Sequence, residues 1–210
     1  KSDRHLWAKS YERDLKEVLA LQNEVARAIA GEVRVVLTPQ EQSRLQTQRA
    51  IDPEALNAYL IGRRYLDEGS PEGLQKAIKY FQEALDKVPR YALAYTGIAD
   101  YYSILPFYSR LAPKDAFPQA KAAVTRALEI DEELAEAHAS LAYVLAYYEW
   151  DWKGAEAEFK RALELNPSYA SAHHSYSRYL AARGRLEEAT TEIERAQELD
   201  PLETLLKANK

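Results

Sequence analysis

The chain has 210 residues, 47% hydrophobic and 29% charged, with 7 Gly and 9 Pro, the profile of a folded globular protein rather than a disordered one. Its formal net charge of −5 offers no basic field for phosphates, so this segment is not expected to bind nucleic acid. Cysteine is absent, which excludes disulfides and thiolate metal sites; a thiol-free chain suits cytoplasm and periplasm equally. Methionine is absent too, so a segment of a longer protein is expected. No apolar run approaches the roughly 18–20 residues that span a bilayer, so direct membrane insertion is not expected. Nor does Lys1-Ser2-Asp3-Arg4 open a signal peptide.

In chain order, Arg4-His5-Leu6-Trp7-Ala8-Lys9 alternates weakly and reads as a strand. Leu15, Val18, Leu19, Gln22, Val25, Ala26, Ile29 and Val33 then recur at helical spacing as far as about Leu37. A lone strand has no sheet of its own. Residues 1–50 are therefore expected to be the strand–helix remnant of an α/β domain. Thr38-Pro39-Gln40-Glu41, Asp52-Pro53 and Ser70-Pro71 each place an N-cap side chain before a proline in a first helical turn.

From there the chain repeats itself. Ala77-x3-Phe81-x2-Ala84-x4-Pro89, Ala155-x3-Phe159-x2-Ala162-x4-Pro167 and Ala189-x3-Ile193-x2-Ala196-x4-Pro201 share one spacing. Ala120-x3-Val124-x2-Ala127 follows it until Glu132 stands in place of the proline. Upstream of each lies an i, i+3, i+4, i+7 set: Ala58/Ile61/Gly62/Tyr65, Tyr95/Ile98/Ala99/Tyr102, His138/Leu141/Ala142/Leu145 and His173/Tyr176/Ser177/Leu180. The step from Pro89 to Tyr95, Glu132 to His138 and Pro167 to His173 is six residues each time. Length varies only inside a repeat, where a solenoid tolerates insertions. Pro118 either opens the second helix of repeat two or kinks one begun near Pro113, and Gly184 suits a left-handed helix end.

These sets resemble the tetratricopeptide consensus, W-x2-L-G-x2-Y followed by A-x3-F-x2-A and a proline, over roughly residues 55–201. The leading Trp is missing and Glu132 replaces one proline. The resemblance implies an all-α fold, an α-α superhelix of four helix-turn-helix repeats at about 55–91, 92–134, 135–169 and 170–203, with a capping helix starting near Leu202. Small residues such as Gly62 and Ala155 then mark helix contacts, and Phe81 and Phe159 fill the space between repeats. Leu6-Trp7-Ala8-Lys9-Ser10-Tyr11-Glu12-Arg13-Asp14-Leu15, with Leu21 to Ala26, is similar to the closing strand and helix of TolB-like domains. In bacterial signalling proteins such a domain precedes tetratricopeptide repeats, behind a Ser/Thr kinase, a nucleotide cyclase or a winged-helix module. Trp150-Asp151-Trp152 and Asp200-Pro201-Leu202 are similar to those proteins too. Residues 1–50 are thus expected to be a truncated TolB-like domain and 51–210 the repeats.

No Gly-rich phosphate loop, HExxH, CxxC or GxSxG occurs, so neither catalysis nor a cofactor is expected of this chain. His138 and His173 sit in the leading aromatic slot and read as packing residues. At Trp150-Asp151-Trp152 two indoles capping the core, with Asp151 as N-cap, are favoured over a ligand-stacking site. Tyr65, Tyr95, Tyr102 and Tyr176 fall on inward slots. In a tetratricopeptide superhelix the first helices line a groove. Helical geometry then points Tyr59, Arg63, Leu66, Thr96, Asp100, Tyr143, Tyr147, His174 and Arg178 into it, a mixture suited to a protein or peptide partner. They do not match the Lys/Asn clamp of chaperone-binding relatives. A protein-interaction scaffold or sensory arm of a bacterial signalling or transcriptional regulator is the expected function. A structural spacer or dimerisation arm, and a small-ligand sensor at the Trp150/Trp152 turn, are its rivals. The apolar insert Ile104–Leu111 is expected to fold back over the helices.

The phasing is checked at a contact alanine. Ala155→Leu should lower stability by about 1–3 kcal/mol through overpacking, read from a denaturant midpoint; an unchanged midpoint would mean that the phase is wrong.

Overall fold

The computed structural model describes residues 52–201. The strand and helix expected within residues 1–50 and the cap expected from Leu202 lie outside the described residues. The chain divides into two compact units, Lys1–Asn57 and Ala58–Lys210. Of the first, only the opening of helix α1 is described.

Eight α-helices follow one another among the described residues: α1 Pro53–Glu68, α2 Pro71–Lys87, α3 Ala92–Ile104, α4 Pro113–Ile130, α5 Ala135–Val144, α6 Trp152–Leu165, α7 Ala170–Ala182 and α8 Leu186–Leu199. Local chemistry sets several of their starts. The Ser70 hydroxyl accepts the Gly73 N–H at 2.9 Å ahead of Pro71, and the Asp151 carboxylate accepts that of Gly154 at 2.9 Å. Helix α4 begins at Pro113 and runs through Pro118, which settles where that proline sits.

The contact alanines are all deeply buried: Ala77, Ala120 and Ala155 are wholly inaccessible, and Ala189 is 8% exposed. Helix pairs approach one another closely at Phe81. A Cβ built on Gly62 of α1 would meet its ring at 2.6 Å, and one on Gly97 of α3 at 2.5 Å. Phe81 of α2 is therefore seated between the first helices of two successive pairs, against backbone on both sides. Phe159 repeats the role in α6, with ring centroids 5.4 Å from Tyr176 and 5.6 Å from Tyr179 of α7.

Each pair joins the next by one kind of turn. Tyr91 donates its N–H to the Val88 carbonyl at 3.0 Å, Leu134 to Asp131 at 3.4 Å and Tyr169 to Asn166 at 3.1 Å. Glu132 in place of proline leaves this turn in being. The constant six-residue step has a physical meaning: the leading side chain of each new helix reaches back to the carbonyl that ended the previous one. The Tyr95 hydroxyl lies 3.4 Å from the Pro89 oxygen, His138 Nε2 2.9 Å from that of Glu132, and His173 Nε2 3.1 Å from that of Pro167. The two histidines are thus hydrogen-bonding residues as well as packing ones. Of the tyrosines placed inward by spacing, Tyr176 is buried, whereas Tyr65, Tyr95 and Tyr102 keep partial access to solvent.

Turns within the pairs differ. Gly69 and Gly184 adopt the left-handed region with φ of 65° and 74°, Gly184 as its position requires. The turns inside the second and third pairs hold left-handed non-glycine residues instead, Ser109 at 53° and Trp150 at 59°. Each costs about 1–2 kcal/mol that the packing around it must offset. The insert after α3 forms a 3-10 turn, Leu105–Tyr108. Leu105 is buried, and Ile104 and Leu111 pack on the same cluster, but Phe107 is 62% and Tyr108 39% exposed. The expected fold-back therefore holds for the aliphatic residues and fails for the aromatic tip. The turn after α5 is a π-helical stretch, Leu145–Glu149.

Because backbone flanks Phe81 on both sides, Gly97→Ala should destabilise by about 1–3 kcal/mol in chemical denaturation. Phe81→Leu should recover part of that loss in the double variant, the sign of two groups competing for one space.

Candidate functional site

The first helices α3, α5 and α7 lie side by side, and α1 joins them through a chain of polar contacts. Arg63 of α1 donates to Asp100 Oδ2 of α3 at 2.5 Å, and the Ser140 hydroxyl of α5 lies 2.6 Å from Asp100 Oδ1. Three first helices are tied through one carboxylate. Tyr169, just ahead of α7, is close enough to Arg63, Asp100, Glu136 and Tyr59 for their charges to act on it.

The electrostatics follow from this enclosure. Burial opposes the Arg63 charge, but Asp100, with smaller help from Tyr59, Tyr169 and Asp67, raises its pKa above the usual arginine value. Burial pushes Tyr59 up to about 12 against the pull of Arg63, and Tyr143 up to about 12 against that of Arg178. Burial raises Tyr169 as well. Both phenols and Tyr169 are neutral hydrogen-bond donors at any ordinary pH. Burial also lifts the Glu136 carboxyl, with the backbone N–H and Arg63 holding it down in part.

The residues expected to line the groove divide into three groups. Leu66, 6% exposed, and Thr96, 1% exposed, do not line it. Although its spacing from Arg63 allows a shared face, Leu66 packs into the cluster of Leu74, Ala77, Phe81 and Leu105. Thr96 is enclosed, and its hydroxyl donates to the Leu93 carbonyl at 2.7 Å. Tyr59, Arg63 and Asp100 are partly accessible but engaged: Tyr59 rests on Phe81 at 6.1 Å and on Tyr91 at 5.7 Å between centroids. Tyr143, Tyr147, His174 and Arg178 form the remainder. The Tyr143 and Tyr147 rings are 4.5 Å apart at 35°, both half-buried; His174 is half-buried; Arg178 is exposed and forms no ion pair among the described residues.

Sequence reasoning missed Glu136, Ser140 and Tyr169. The first two lie at i and i+4 on α5, with Tyr143 at i+7, a helical signal that was legible. Tyr169 precedes its helix and carries no such period.

The Trp150-Asp151-Trp152 turn differs from expectation in one indole. Trp152 packs 6.0 Å from Tyr179, with the Arg183 guanidinium 5.2 Å above its ring, while Trp150 is 66% exposed. Only one indole covers the core. Among the described residues no three His, Asp or Glu side chains gather as metal ligands, and no helix is long and apolar enough to cross a membrane.

Coupling across the groove is open to a mutant cycle. Asp100→Ala should cost about 2–3 kcal/mol by stripping Arg63 and Ser140 of their acceptor. Arg63→Met combined with it should cost less than the sum of the single changes, and strict additivity in urea midpoints would mean the contact is idle.

No family model matches the chain. A crystal structure of TTC0263, a thermophilic TPR protein of Thermus thermophilus, is similar with a TM-score of 0.60 at 19% identity, covering 93% of this chain and 94% of that one. The first TPR domain of human RPAP3 is more loosely similar, with a TM-score of 0.46 at 17% identity, covering 69% of this chain and 96% of that one. A curated protein of Rhizobium meliloti (strain 1021), described as "Putative adenylate cyclase 3", is 30% identical over 145 residues, 68% of this chain. The chain spans 24% of that relative's length. With the helix pairs and the Thermus structure together, the fold is that of a tetratricopeptide-repeat solenoid.

Proposed function

We propose that this solenoid is the protein- or peptide-binding arm of a larger bacterial signalling protein and performs no catalysis itself. One observation carries the reading: beside a tyrosine pair that packs on the core with part of its surface open, the groove holds a guanidinium with no ion pair among the described residues. Arg63, Asp100 and Ser140 satisfy one another, whereas Arg178 leaves its guanidinium donors to solvent beside Tyr143 and Tyr147. Tyr and Arg supply much of the energy of protein interfaces, as rigid rings and a planar donor fork. A partner segment offering carboxylate or carbonyl acceptors to Arg178 and an apolar side chain to the tyrosine pair fits this surface.

The parent architecture is part of the proposal. A division near residue 50, with a TolB-like remnant before the repeats, agrees with the resemblance carried by Leu6–Leu15. A parent with a cyclase module agrees with the description of the Rhizobium meliloti relative, of which this chain spans only 24%. Any catalytic step would then belong to the parent's other modules, with this arm reporting a bound partner. A small-ligand site at the Trp150 turn is the second reading. It is favoured by one feature, an indole 66% exposed on a left-handed backbone and 5.6 Å from Trp152.

Capture of partners by the immobilised chain tests both readings. Tyr143→Ala or Arg178→Ala should weaken capture by about 1–2 kcal/mol while moving stability far less. Intact capture by the Tyr143/Tyr147/Arg178 triple alanine variant would take recognition off the groove. Tryptophan fluorescence that responds to a metabolite, and stops doing so in Trp150→Ala, would favour the second reading.

A further inference from the structure

We infer that His138 and Glu158 form a proton-operated latch that fastens α5 to α6 when the ring is charged and releases it as the pH rises. The geometry carries this. His138 Nδ1 lies 2.5 Å from Glu158 Oε2, and Nε2 lies 2.9 Å from the Glu132 carbonyl oxygen. Both neighbours are acceptors only. A neutral imidazole has one N–H and would turn a lone pair toward one of the two oxygens; only the imidazolium donates to both. The same arrangement recurs one repeat later, where His173 Nδ1 lies 2.5 Å from Glu192 Oε2 and Nε2 3.1 Å from the Pro167 oxygen.

The surroundings keep the pair effective. The His138 side chain is 13% and that of Glu158 28% exposed, so water screens the contact only in part. The Glu158 hydrogen bond raises the His138 pKa; burial opposes it, the Glu132 carbonyl adds to it, and Arg161 on α6 opposes it weakly. The folded value exceeds the unfolded one. The latch therefore contributes fully below the ordinary histidine range of about 6.5 and is lost as the pH rises through the raised folded value.

The device is confined to the later repeats. The leading slots of the first two hold Ala58 and Tyr95, and the Tyr95 hydroxyl makes the backbone contact with no second ring nitrogen to hold a carboxylate. Helix α5 also carries Tyr143 and leads into Tyr147. The latch thus sets how firmly the third repeat's groove wall is held, a property that does not depend on what the groove binds.

The test is nitrogen-detected NMR of the histidine side chains in the full 210-residue chain across pH 5 to 9. His138 is expected to carry protons on both ring nitrogens at the acid end of this range and to titrate above the ordinary histidine range of about 6.5. In Glu158→Gln, which keeps an oxygen acceptor and removes the charge, the midpoint should return to the ordinary range. Melting supplies a fold-level readout. His138→Tyr, which places the Tyr95 solution in repeat three, should fold and lose part of the wild-type fall in Tm between pH 6 and 9. A His138 midpoint at or below about 6.5, or one that does not move in Glu158→Gln, would overturn the latch. So would a His138→Tyr variant whose Tm falls with pH as steeply as the wild type's.

Discussion

The stacking of the helix pairs depends on the seat of Phe81. Its ring is fully buried and lies where a Cβ on Gly62 or Gly97 would stand, so the second helix of one pair holds the first helices of two pairs. A ring so enclosed cannot move aside without opening a void, since protein interiors are packed nearly as densely as organic crystals. Phe159 performs the corresponding task against Tyr176 and Tyr179. The stack exists because an aromatic side chain on each of these second helices finds space that small residues have left for it. Helices this short would be marginal alone, and their stability comes from being stacked.

A second constraint works at the junctions. The side chain that opens each new first helix returns six residues to the carbonyl that closed the helix before it, by phenol in one repeat and by imidazole in two. This gives a carbonyl in the turn just past each helix a donor from the protein, and it ties the next first helix to that turn. Where the residue is histidine, its second nitrogen takes hold of a carboxylate on the partner helix, Glu158 or Glu192. One side chain then joins three segments of backbone.

The groove shows how a repeat protein separates structure from recognition. Its early half is internally satisfied: Arg63, Asp100 and Ser140 form one chain across three helices, with Tyr59 and Tyr169 enclosing the charge. Its late half keeps Tyr143, Tyr147 and Arg178 at the surface. A charge already matched inside the fold has little left to give a partner, because breaking it returns the full cost of desolvation. In the reading proposed above, recognition falls to this half, where Arg178 keeps its charge open beside tyrosines that pack on the core by one side.

Much of this was legible in the chain before any coordinates. Helix pairs, their phase, the small contact positions and the site of each expansion all follow from periodicity, because burial on a helix recurs every three to four residues whatever surrounds it. Periodicity also named the groove face, but it could not say which residues on that face stay free. Leu66 and Thr96 are at groove spacing yet enclosed, while Tyr169, which carries no period, stands in the middle of the charged cluster. His138 and Glu158 are 20 residues apart and belong to different helices, so nothing local links them. Packing within one pair brings that couple together, and packing between pairs brings Arg63 to Asp100 and Ser140. A residue's helical face is a local property that its neighbours in sequence already determine. Its partner across the groove is a property of the whole stack, and only the tertiary structure decided it.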